Sequence, residues 1–282
     1  MKTETFHLGL TGFPLNQSLS PKIHTAALQA CGVEGDYTLF PIHPEDRQSL
    51  KDLLARVRAG DLDGLNVTIP HKQAVIPLLD ELTPTAKSIG AVNTIYSRAG
   101  ELIGDNTDAP GFLTDLKRFL STSTQRHGER NALVLGAGGS ARAVVYALLN
   151  DGWTVHVAAR RLEQAEELAT SFTEHKLQIT TSEISSIDVS NIALIVNTTP
   201  VGMSPNVDQS PWPEKVHFPP HAAIYDLVYN PRETKLVREA CTRGLSATTG
   251  LGMLIEQAAL AFEIWTGCKP PREVLLHAVD QM

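Results

Sequence analysis

The stretch Ala132-Leu133-Val134-Leu135-Gly136-Ala137-Gly138-Gly139-Ser140-Ala141 gives the clearest indication of the fold. Its first four residues are apolar, as in a buried strand, and its glycines form a turn into a helix predicted over 142–150. A second apolar run at 154–158 is typical of another strand. The segment therefore predicts a β-α-β unit.

The turn between this strand and helix matches the pattern Gly-x-Gly-x-x-Ala, with Gly136, Gly138 and Ala141 at its fixed positions. In dinucleotide-binding folds the first glycine permits the tight turn, the second lets a pyrophosphate approach the backbone, and the third residue allows close packing of the helix. The pyrophosphate lies at the helix N-terminus, where free N–H groups favour an anion. Because the pattern stands between a strand and a helix, we predict a dinucleotide site rather than a turn that serves packing alone.

The end of the following strand, Val157-Ala158-Ala159-Arg160-Arg161, bears on which dinucleotide binds. NAD sites carry an acidic residue about twenty positions after the glycines, which bonds the ribose 2′-hydroxyl. Here the strand ends without an acid, and Arg160 and Arg161 offer guanidinium groups suited to a 2′-phosphate. The sequence predicts NADP(H), with two solvated arginines at a helix start as the alternative.

The chain before this unit alternates short apolar runs with amphipathic stretches in the order β-α-β-α-β, which is typical of a parallel α/β sheet. A segment that begins at a proline, 70–79, is predicted to be helical, and 91–96 with 101–104 a strand pair. A polar loop is predicted over 121–130.

The chain after this unit continues the alternation. Strands are predicted at 177–180, 193–197 and 222–227, and helices at 162–172 and 233–242. A last helix near 254–265 has no partner strand there, so we expect it to return to the first lobe. The fold class is therefore α/β with two domains, an N-terminal lobe of residues 1–108 plus 250–282, and a Rossmann-type domain of residues 109–249.

Composition excludes several classes of protein. The 282 residues carry 31 acidic and 24 basic side chains, a formal charge of −7, which argues against a nucleic-acid partner. No apolar run is long enough to span a membrane, and the N-terminus does not resemble a signal peptide, so a cytoplasmic location is expected. Cys31, Cys241 and Cys268 lie far apart without metal-ligand spacing, which predicts neither a disulfide framework nor a metal site.

Two charged residues of the first domain are candidates for proton transfer. Lys72 is expected near the start of the predicted helix at 70–79, where the helix dipole favours an acid over a lysine. Asp108 ends the domain and offers a carboxylate. From the residues alone, Lys72 is more consistent with a solvated surface lysine than with a catalytic one. Asp108 is equally consistent with a cap of the next helix and with a catalytic carboxylate.

Six segments, in order and over nearly the whole chain, resemble the shikimate dehydrogenase family. They are Ser18-Leu19-Ser20-Pro21-x-x-His24, Asn66-Val67-Thr68-x-Pro70-x-Lys72, Gly90-Ala91-Val92-Asn93-Thr94, Gly104-Asp105-Asn106-Thr107-Asp108, Gly136-Ala137-Gly138-Gly139-Ser140-Ala141, and Gly250-Leu251-Gly252-Met253-Leu254 running on to Gln257-Ala258. Six such segments together are far more specific than a glycine-rich turn.

The resemblance implies reversible NADPH-dependent reduction of 3-dehydroshikimate to shikimate, in the shikimate pathway to chorismate and the aromatic amino acids. It implies that Lys72 and Asp108 are the catalytic pair, without a metal. The substrate contacts it implies are Ser18, Ser20 and Tyr229 for the carboxylate, and Asn66, Thr68, Asn93 and Gln257 for the ring hydroxyls. The cofactor contacts it implies are Gly136, Ala137, Gly138, Gly139, Ser140, Ala141, Arg160, Arg161 and Gly250. The expected assembly is a monomer or homodimer whose partners are small molecules.

One departure from the family and two alternatives bear on this interpretation. Members commonly have Asn-Arg-Thr after the second strand and another arginine four residues beyond the first, whereas this chain has Ala159-Arg160-Arg161 and Gln164. We expect Arg161 to replace the missing phosphate contact, with weaker discrimination against NAD. The alternatives are a quinate/shikimate dehydrogenase that uses NAD or NADP, and a metabolite-sensing regulator without turnover. Ser20, in place of a threonine, favours shikimate, and Lys72 with Asp108 favours catalysis.

Overall fold

The structure, a computed structural model, describes residues 5–122 and 130–280, apart from the side chains of residues 176 and 177. The chain divides into two compact units, Met1–Gly111 with Ile255–Met282, and Phe112–Leu254. The unit boundaries fall after residues 111 and 254, against the expected 108 and 249. Most of the predicted polar loop at 121–130 lies outside the described residues.

The first unit is built on a six-stranded mixed sheet. Its strands are β1 (Thr5–Gly12), β2 (Glu34–Pro41), β3 (Gly64–Val67), β4 (Glu81–Leu82), β5 (Thr94–Arg98) and β6 (Glu101–Asp105). The spatial order is β2-β1-β3-β5-β6-β4, with β1 parallel to β2 and β3, and β5 antiparallel to both β3 and β6. The predicted strand pair around residues 98–100 is therefore confirmed.

Three helices of the first unit precede residue 108, namely α1 (Ser20–Cys31), α2 (Arg47–Ala59) and α3 (Pro84–Ile89). In α2 the buried residues Leu50, Leu53, Leu54 and Val57 recur at helical spacing and pack against the sheet. The side chain of Asp46 accepts from the N–H of Ser49 and caps this helix. Helices α1 and α2 are the two helices of the predicted β-α-β-α-β order.

The prediction of a helix over 70–79 is wrong. Turns occupy residues 69–75 and a short 3-10 helix spans Ile76–Leu78. In an α-helix the N–H of residue 77 would donate to the carbonyl of Gln73. Pro77 has no N–H, and its ring would clash with that carbonyl. Lys72 therefore lies on a turn, where its carbonyl accepts from the N–H of Val92 at 2.8 Å.

The second unit has a six-stranded sheet whose pairings are all parallel. Its strands are β7 (Asn131–Leu135), β8 (Thr154–Ala159), β9 (Ile179–Glu183), β10 (Leu194–Asn197), β11 (Ala223–Asp226) and β12 (Ala247–Thr249). The order β12-β11-β10-β7-β8-β9 is that of the doubly wound dinucleotide-binding fold, whose ligand site lies where the strand order reverses, between β7 and β10. The predicted Rossmann-type architecture is confirmed.

The helices of this part of the chain are α4 (Asp108–Thr122), α5 (Gly139–Asn150), α6 (Leu162–Ser171) and α7 (Lys235–Thr242). The unit boundary after Gly111 falls inside α4. Helix α5 joins β7 to β8 and completes the predicted β-α-β unit. None of the helices in residues 5–122 and 130–280 is both long and apolar enough to span a bilayer.

The last two helices, α8 (Leu251–Thr266) and α9 (Arg272–Asp280), belong to the first unit from Ile255 onward. The indole Nε1 of Trp265 on α8 donates to the carbonyl of Ile95 at 3.2 Å, and α9 packs on α1. The predicted return of the last helix to the first lobe is therefore confirmed. The sequence did not predict α9, α3 or the short strands β4 and β12.

The expectation of no disulfide is also wrong. Cys31 and Cys268 are bonded, with their Cα atoms 6.4 Å apart. They are separated by 237 residues, so no local spacing could indicate the pair. Cys241 is a free, exposed thiol.

Candidate active site

A buried ion pair is the chemical centre of the first unit. Nζ of Lys72 donates to Oδ2 of Asp108 at 2.6 Å, and the two side chains are only 12% and 6% exposed. Removing two charges from water costs free energy that their attraction often fails to recover. Such a pair is thus better explained by chemistry than by stability. Its burial also excludes the alternative of a solvated surface lysine.

Local backbone structure brings the two charges together. Lys72 lies on the turn after β3, and Asp108 is the first residue of α4, which follows β6. The side chain of Asn106 accepts from the N–H of Ala109 at 3.2 Å and caps α4. The alternative role of Asp108 as the helix cap is therefore filled by Asn106, and the Asp108 carboxylate faces Lys72.

Asn93 connects this ion pair to a second predicted contact. Its Nδ2 donates to Oδ1 of Asp108 at 2.9 Å and to Oε1 of Gln257 at 3.3 Å. Its Oδ1 accepts from the backbone N–H of Thr107 at 2.8 Å, which fixes the amide because a backbone N–H can only donate. Four predicted site residues, Lys72, Asp108, Asn93 and Gln257, thus form one hydrogen-bonded network.

Asn66 extends the network on β3. Its Nδ2 donates to the backbone carbonyl of Asn93 at 3.1 Å, and its Oδ1 accepts from the hydroxyl of Tyr37 at 2.7 Å. Tyr37 in turn stacks on the buried ring of His24, with ring centroids 4.3 Å apart. Burial raises the pKa of Tyr37, and a hydrogen bond with Ser20 opposes that rise. The sequence did not predict Tyr37 as a site residue, because nothing in it indicates that Tyr37 and Asn66 lie together.

The remaining predicted substrate residues are divided between the units. Ser18 and Ser20 lie at the start of α1, where the N–H of Ser20 donates to Oγ of Ser18 at 3.3 Å. Thr68 follows β3, and its N–H donates to the carbonyl of Thr11. Tyr229 belongs to the second unit. These bonds do not assign a role to the four side chains, so their substrate contacts stay predictions.

Two glycines of the predicted dinucleotide site are glycine for different reasons. Gly136 has φ of 108°, and a Cβ there would lie 2.7 Å from the hydroxyl of Thr198, so the folded backbone requires glycine. Gly138 has φ of −85°, and a Cβ there would meet nothing within 4 Å. The fold leaves open space at Gly138, immediately before the N-terminus of α5. This arrangement fits a pyrophosphate approaching the backbone.

The other predicted cofactor contacts surround these glycines in the chain. Ala137, Gly139 and Ser140 continue the turn into α5, and Ala141 is fully buried against the sheet. Arg160 and Arg161 follow β8, and both side chains are exposed. Gly250 has a packing reason of its own, because a Cβ there would overlap the carbonyl oxygen of Leu227. In the described parts of the chain, no cluster of three or more His, Cys, Asp or Glu side chains could hold a metal.

Asp226 is a buried carboxylate that the sequence did not predict. It ends β11, and its carboxylate accepts from Nδ2 of Asn197 at 2.8 Å, from the N–H of Val228 at 3.0 Å and from the hydroxyl of Thr234 at 2.7 Å. Burial raises the pKa of Asp226 to about 6, although these three hydrogen bonds oppose the rise. The carboxylate therefore holds the turn that follows β11, at the edge of the sheet where the strands end.

Comparison with known proteins gives a consistent result along the chain. Residues 10–95 match the model of the shikimate dehydrogenase substrate binding domain, residues 119–206 that of shikimate / quinate 5-dehydrogenase, and residues 250–279 that of the shikimate 5'-dehydrogenase C-terminal domain. The shikimate dehydrogenase (NADP(+)) of Salinibacter ruber is 43% identical, over 96% of this chain and 95% of the relative. That of Desulforamulus reducens is 41% identical, over 97% and 94%.

Solved structures agree with these sequence relatives. The shikimate 5-dehydrogenase from Thermus thermophilus, in complex with NADP(H) and shikimate, has a TM-score of 0.86 and 38% identity, covering 98% of this chain and 99% of that one. A quinate dehydrogenase from Corynebacterium glutamicum, in complex with NAD, has a TM-score of 0.87 and 30% identity, covering 99% of both chains. The chain belongs to the shikimate dehydrogenase family.

The raised pKa of Asp226 predicts how stability depends on pH. Below the ordinary value of 3.8 the carboxyl is neutral in both folded and unfolded chains, and its burial carries no charge penalty. As pH rises from 3.8 to about 6, the unfolded chain ionises more readily, and stability is lost. Asp226→Asn keeps the shape but cannot ionise. Its free energy of unfolding, relative to the wild type, should therefore rise by about 2 kcal/mol between pH 4 and pH 7.

Urea unfolding of the wild type and Asp226→Asn at each pH measures this difference directly. Other titrating groups are common to both proteins and cancel in the comparison. If the free energies of unfolding of the two proteins change in parallel between pH 4 and pH 7, the ionisation of Asp226 does not lower the stability of the wild type.

Proposed function

We propose that this protein catalyses the reversible, NADP-dependent interconversion of 3-dehydroshikimate and shikimate. The buried Lys72–Asp108 pair, joined through Asn93 to Gln257, is the observation that carries the proposal. It offers an acid–base group surrounded by neutral hydrogen-bonding side chains, which suits a polyhydroxylated ring. Relatives over 40% identical across nearly the whole chain, named as NADP-dependent shikimate dehydrogenases, support the same activity.

Lys72 is the proton donor in this mechanism. NADPH, when bound, supplies a hydride for the ring carbonyl carbon. The Lys72 ammonium gives its proton to the carbonyl oxygen, and in the reverse direction the neutral amine accepts the hydroxyl proton. Asp108 accepts a hydrogen bond from Nζ at 2.6 Å and so orients the lysine.

Side chains on several elements are proposed to bind the substrate. Asn66, Thr68, Asn93 and Gln257 are proposed to bond the hydroxyls, and Ser18, Ser20 and Tyr229 the carboxylate. The Asn93–Gln257 bond of 3.3 Å is longer than the 2.9 Å bond from Asn93 to Asp108. Of these two bonds, the Asn93–Gln257 bond is therefore the one that a substrate hydroxyl replaces with the smaller loss of free energy. A site built to bond hydroxyls discriminates strongly against analogues that lack them.

The second unit is proposed to bind NADP. Residues 136–141 hold the pyrophosphate at the start of α5, Arg160 and Arg161 bind the 2′-phosphate, and Gly250 lies in the cofactor site. We accordingly assign the first unit to the substrate and the second unit to the dinucleotide, with boundaries after residues 111 and 254 in place of the expected 108 and 249. A cytoplasmic location and a monomeric or homodimeric state remain predictions from the sequence.

A quinate dehydrogenase activity is the second candidate, favoured by the similarity to the quinate dehydrogenase of Corynebacterium glutamicum. An absorbance assay of shikimate and quinate, each with NADP and with NAD, separates the two. Because Ser20 and the two arginines favour shikimate and NADP, that combination should have the highest kcat/KM, by at least about tenfold, or about 1.4 kcal/mol. Quinate with NAD as the best pair would favour the second candidate, and no turnover with any pair would favour a metabolite-sensing regulator.

Replacing the proton donor should slow chemistry without weakening binding. Lys72→Ala is expected to lower kcat at least about 10²-fold with little change in the KM for shikimate. Lys87→Ala is the matched control, because Lys87 lies exposed in the last turn of α3. Turnover by Lys72→Ala close to that of Lys87→Ala would remove Lys72 from the mechanism.

The open space at Gly138 predicts a defect in binding and not in folding. Gly138→Ala should raise the KM for NADP at least about tenfold, because a methyl group would occupy the space proposed for the pyrophosphate. The free energy of unfolding of this variant should differ from that of the wild type by less than about 1 kcal/mol, since the added Cβ would meet no protein atom within 4 Å.

Gly136→Ala is the contrasting variant. Its φ of 108° and the contact with Thr198 should lower the stability of the fold itself by about 1–3 kcal/mol. An unchanged KM for NADP in Gly138→Ala would contradict the proposed position of the pyrophosphate.

A further inference from the structure

The disulfide between Cys31 and Cys268 joins the ends of two helices of the first unit. Cys31 is the last residue of α1 and precedes Gly32, whose φ of 62° ends that helix. Cys268 follows Gly267, with φ of 71°, just after α8. The Cα separation of 6.4 Å lies within the range that a disulfide spans. The two helix-ending turns thus present the two sulfur atoms to each other.

The same helices carry proposed substrate contacts at their opposite ends. Helix α1 begins at Ser20, eleven residues before Cys31, and α8 carries Gln257 in its second turn. A bond between the far ends limits how the two helices can shift against each other. It therefore restrains the positions of Ser20 and Gln257 without touching either side chain.

Non-covalent contacts hold these elements together as well. Helix α9 packs on α1, and Nε of Arg272 on α9 donates to Glu256 on α8 at 3.0 Å. Trp265 is bonded to Ile95 of the sheet. Because these contacts do not depend on the sulfur atoms, cleaving the bond should loosen this region and leave it folded.

Both sulfur-bearing residues are partly exposed, as a small thiol or disulfide requires in order to reach a sulfur atom. Cys241 is exposed, and it lies on α7 in the second unit. It provides an internal reference, since it is a thiol whether or not the pair is bonded.

We propose that Cys31 and Cys268 form a reversible redox site, whose oxidised state stabilises the first unit and strengthens substrate binding. In reduction, a thiolate of a dithiol attacks one sulfur atom, the S–S bond breaks, and the second thiolate resolves the mixed disulfide. The two cysteines gain two electrons and two protons, and the dithiol becomes a disulfide. Oxidation by a small-molecule disulfide such as oxidised glutathione runs the same exchange in reverse and releases two thiols.

The oxidised and reduced states should differ in stability and in substrate affinity. The bond joins residues 237 positions apart, so reduction should lower the Tm on the order of 5 to 15 °C. If the proposed function holds, reduction should also raise the KM for shikimate at least about fivefold. The KM for NADP should stay unchanged, because residues 136–141 belong to the other unit.

The experiment compares the full chain oxidised with glutathione disulfide and reduced with dithiothreitol. Denaturation and alkylation, followed by mass measurement, should give one modified thiol in the oxidised protein and three in the reduced protein. The Tm and both KM values are then measured for each state. Cys31→Ser, Cys268→Ser and the double variant should all behave as the reduced protein in either buffer, whereas Cys241→Ser should respond as the wild type does.

Three alkylated thiols after treatment with glutathione disulfide would overturn the proposal, as would a bonded protein whose Tm equals that of the reduced form. Equal KM values for shikimate in the two states would refute the link to substrate binding. A protein that shows the thiol count and the Tm shift but turns over no shikimate in either state would instead contradict the proposed function. Chemical reduction of the wild type keeps the test valid if a serine variant does not fold.

Discussion

The structure of the first unit depends on one constraint, the burial of an ammonium and a carboxylate in contact. Lys72 and Asp108 are shielded from water, so the surrounding chain must supply the hydrogen bonds that water would have made. Asn93 provides one of them, and Asn106 takes over the capping of α4 that would otherwise compete for the carboxylate. The turn after β3 carries Lys72, and β6 of the mixed sheet leads to Asp108, so these elements place the two charges in contact.

Much of the architecture could be predicted because apolar periodicity is a local property. The alternation along the chain indicated the α/β class, and the glycine-rich turn after β7 indicated the Rossmann-type unit. The helix expected at 70–79 failed because Pro77 breaks the hydrogen-bond ladder in a segment whose apolar pattern looks helical. The disulfide lay beyond prediction, since only the folded chain brings residues 31 and 268 together.

The candidate site was predictable to the extent that its residues occur in recognisable segments. Lys72 and Asp108 gained significance from their neighbours in sequence, because an isolated lysine or aspartate carries no such information. Tyr37 and Asp226 could not be found in this way. Their importance comes from burial and from partners on other strands, namely Asn66 and Asn197, and the sequence does not show which strands will lie close together in a sheet.

Gly136 and Gly138 lie two positions apart but are required for different reasons. The folded backbone requires glycine at 136, whereas the proposed binding of the cofactor requires it at 138. A library of variants screened only for folded, soluble protein would reject most changes at Gly136 and accept alanine at Gly138. A screen for growth or turnover would reject both. Positions around this turn that the second screen rejects and the first accepts would trace the outline of the bound cofactor on the protein surface.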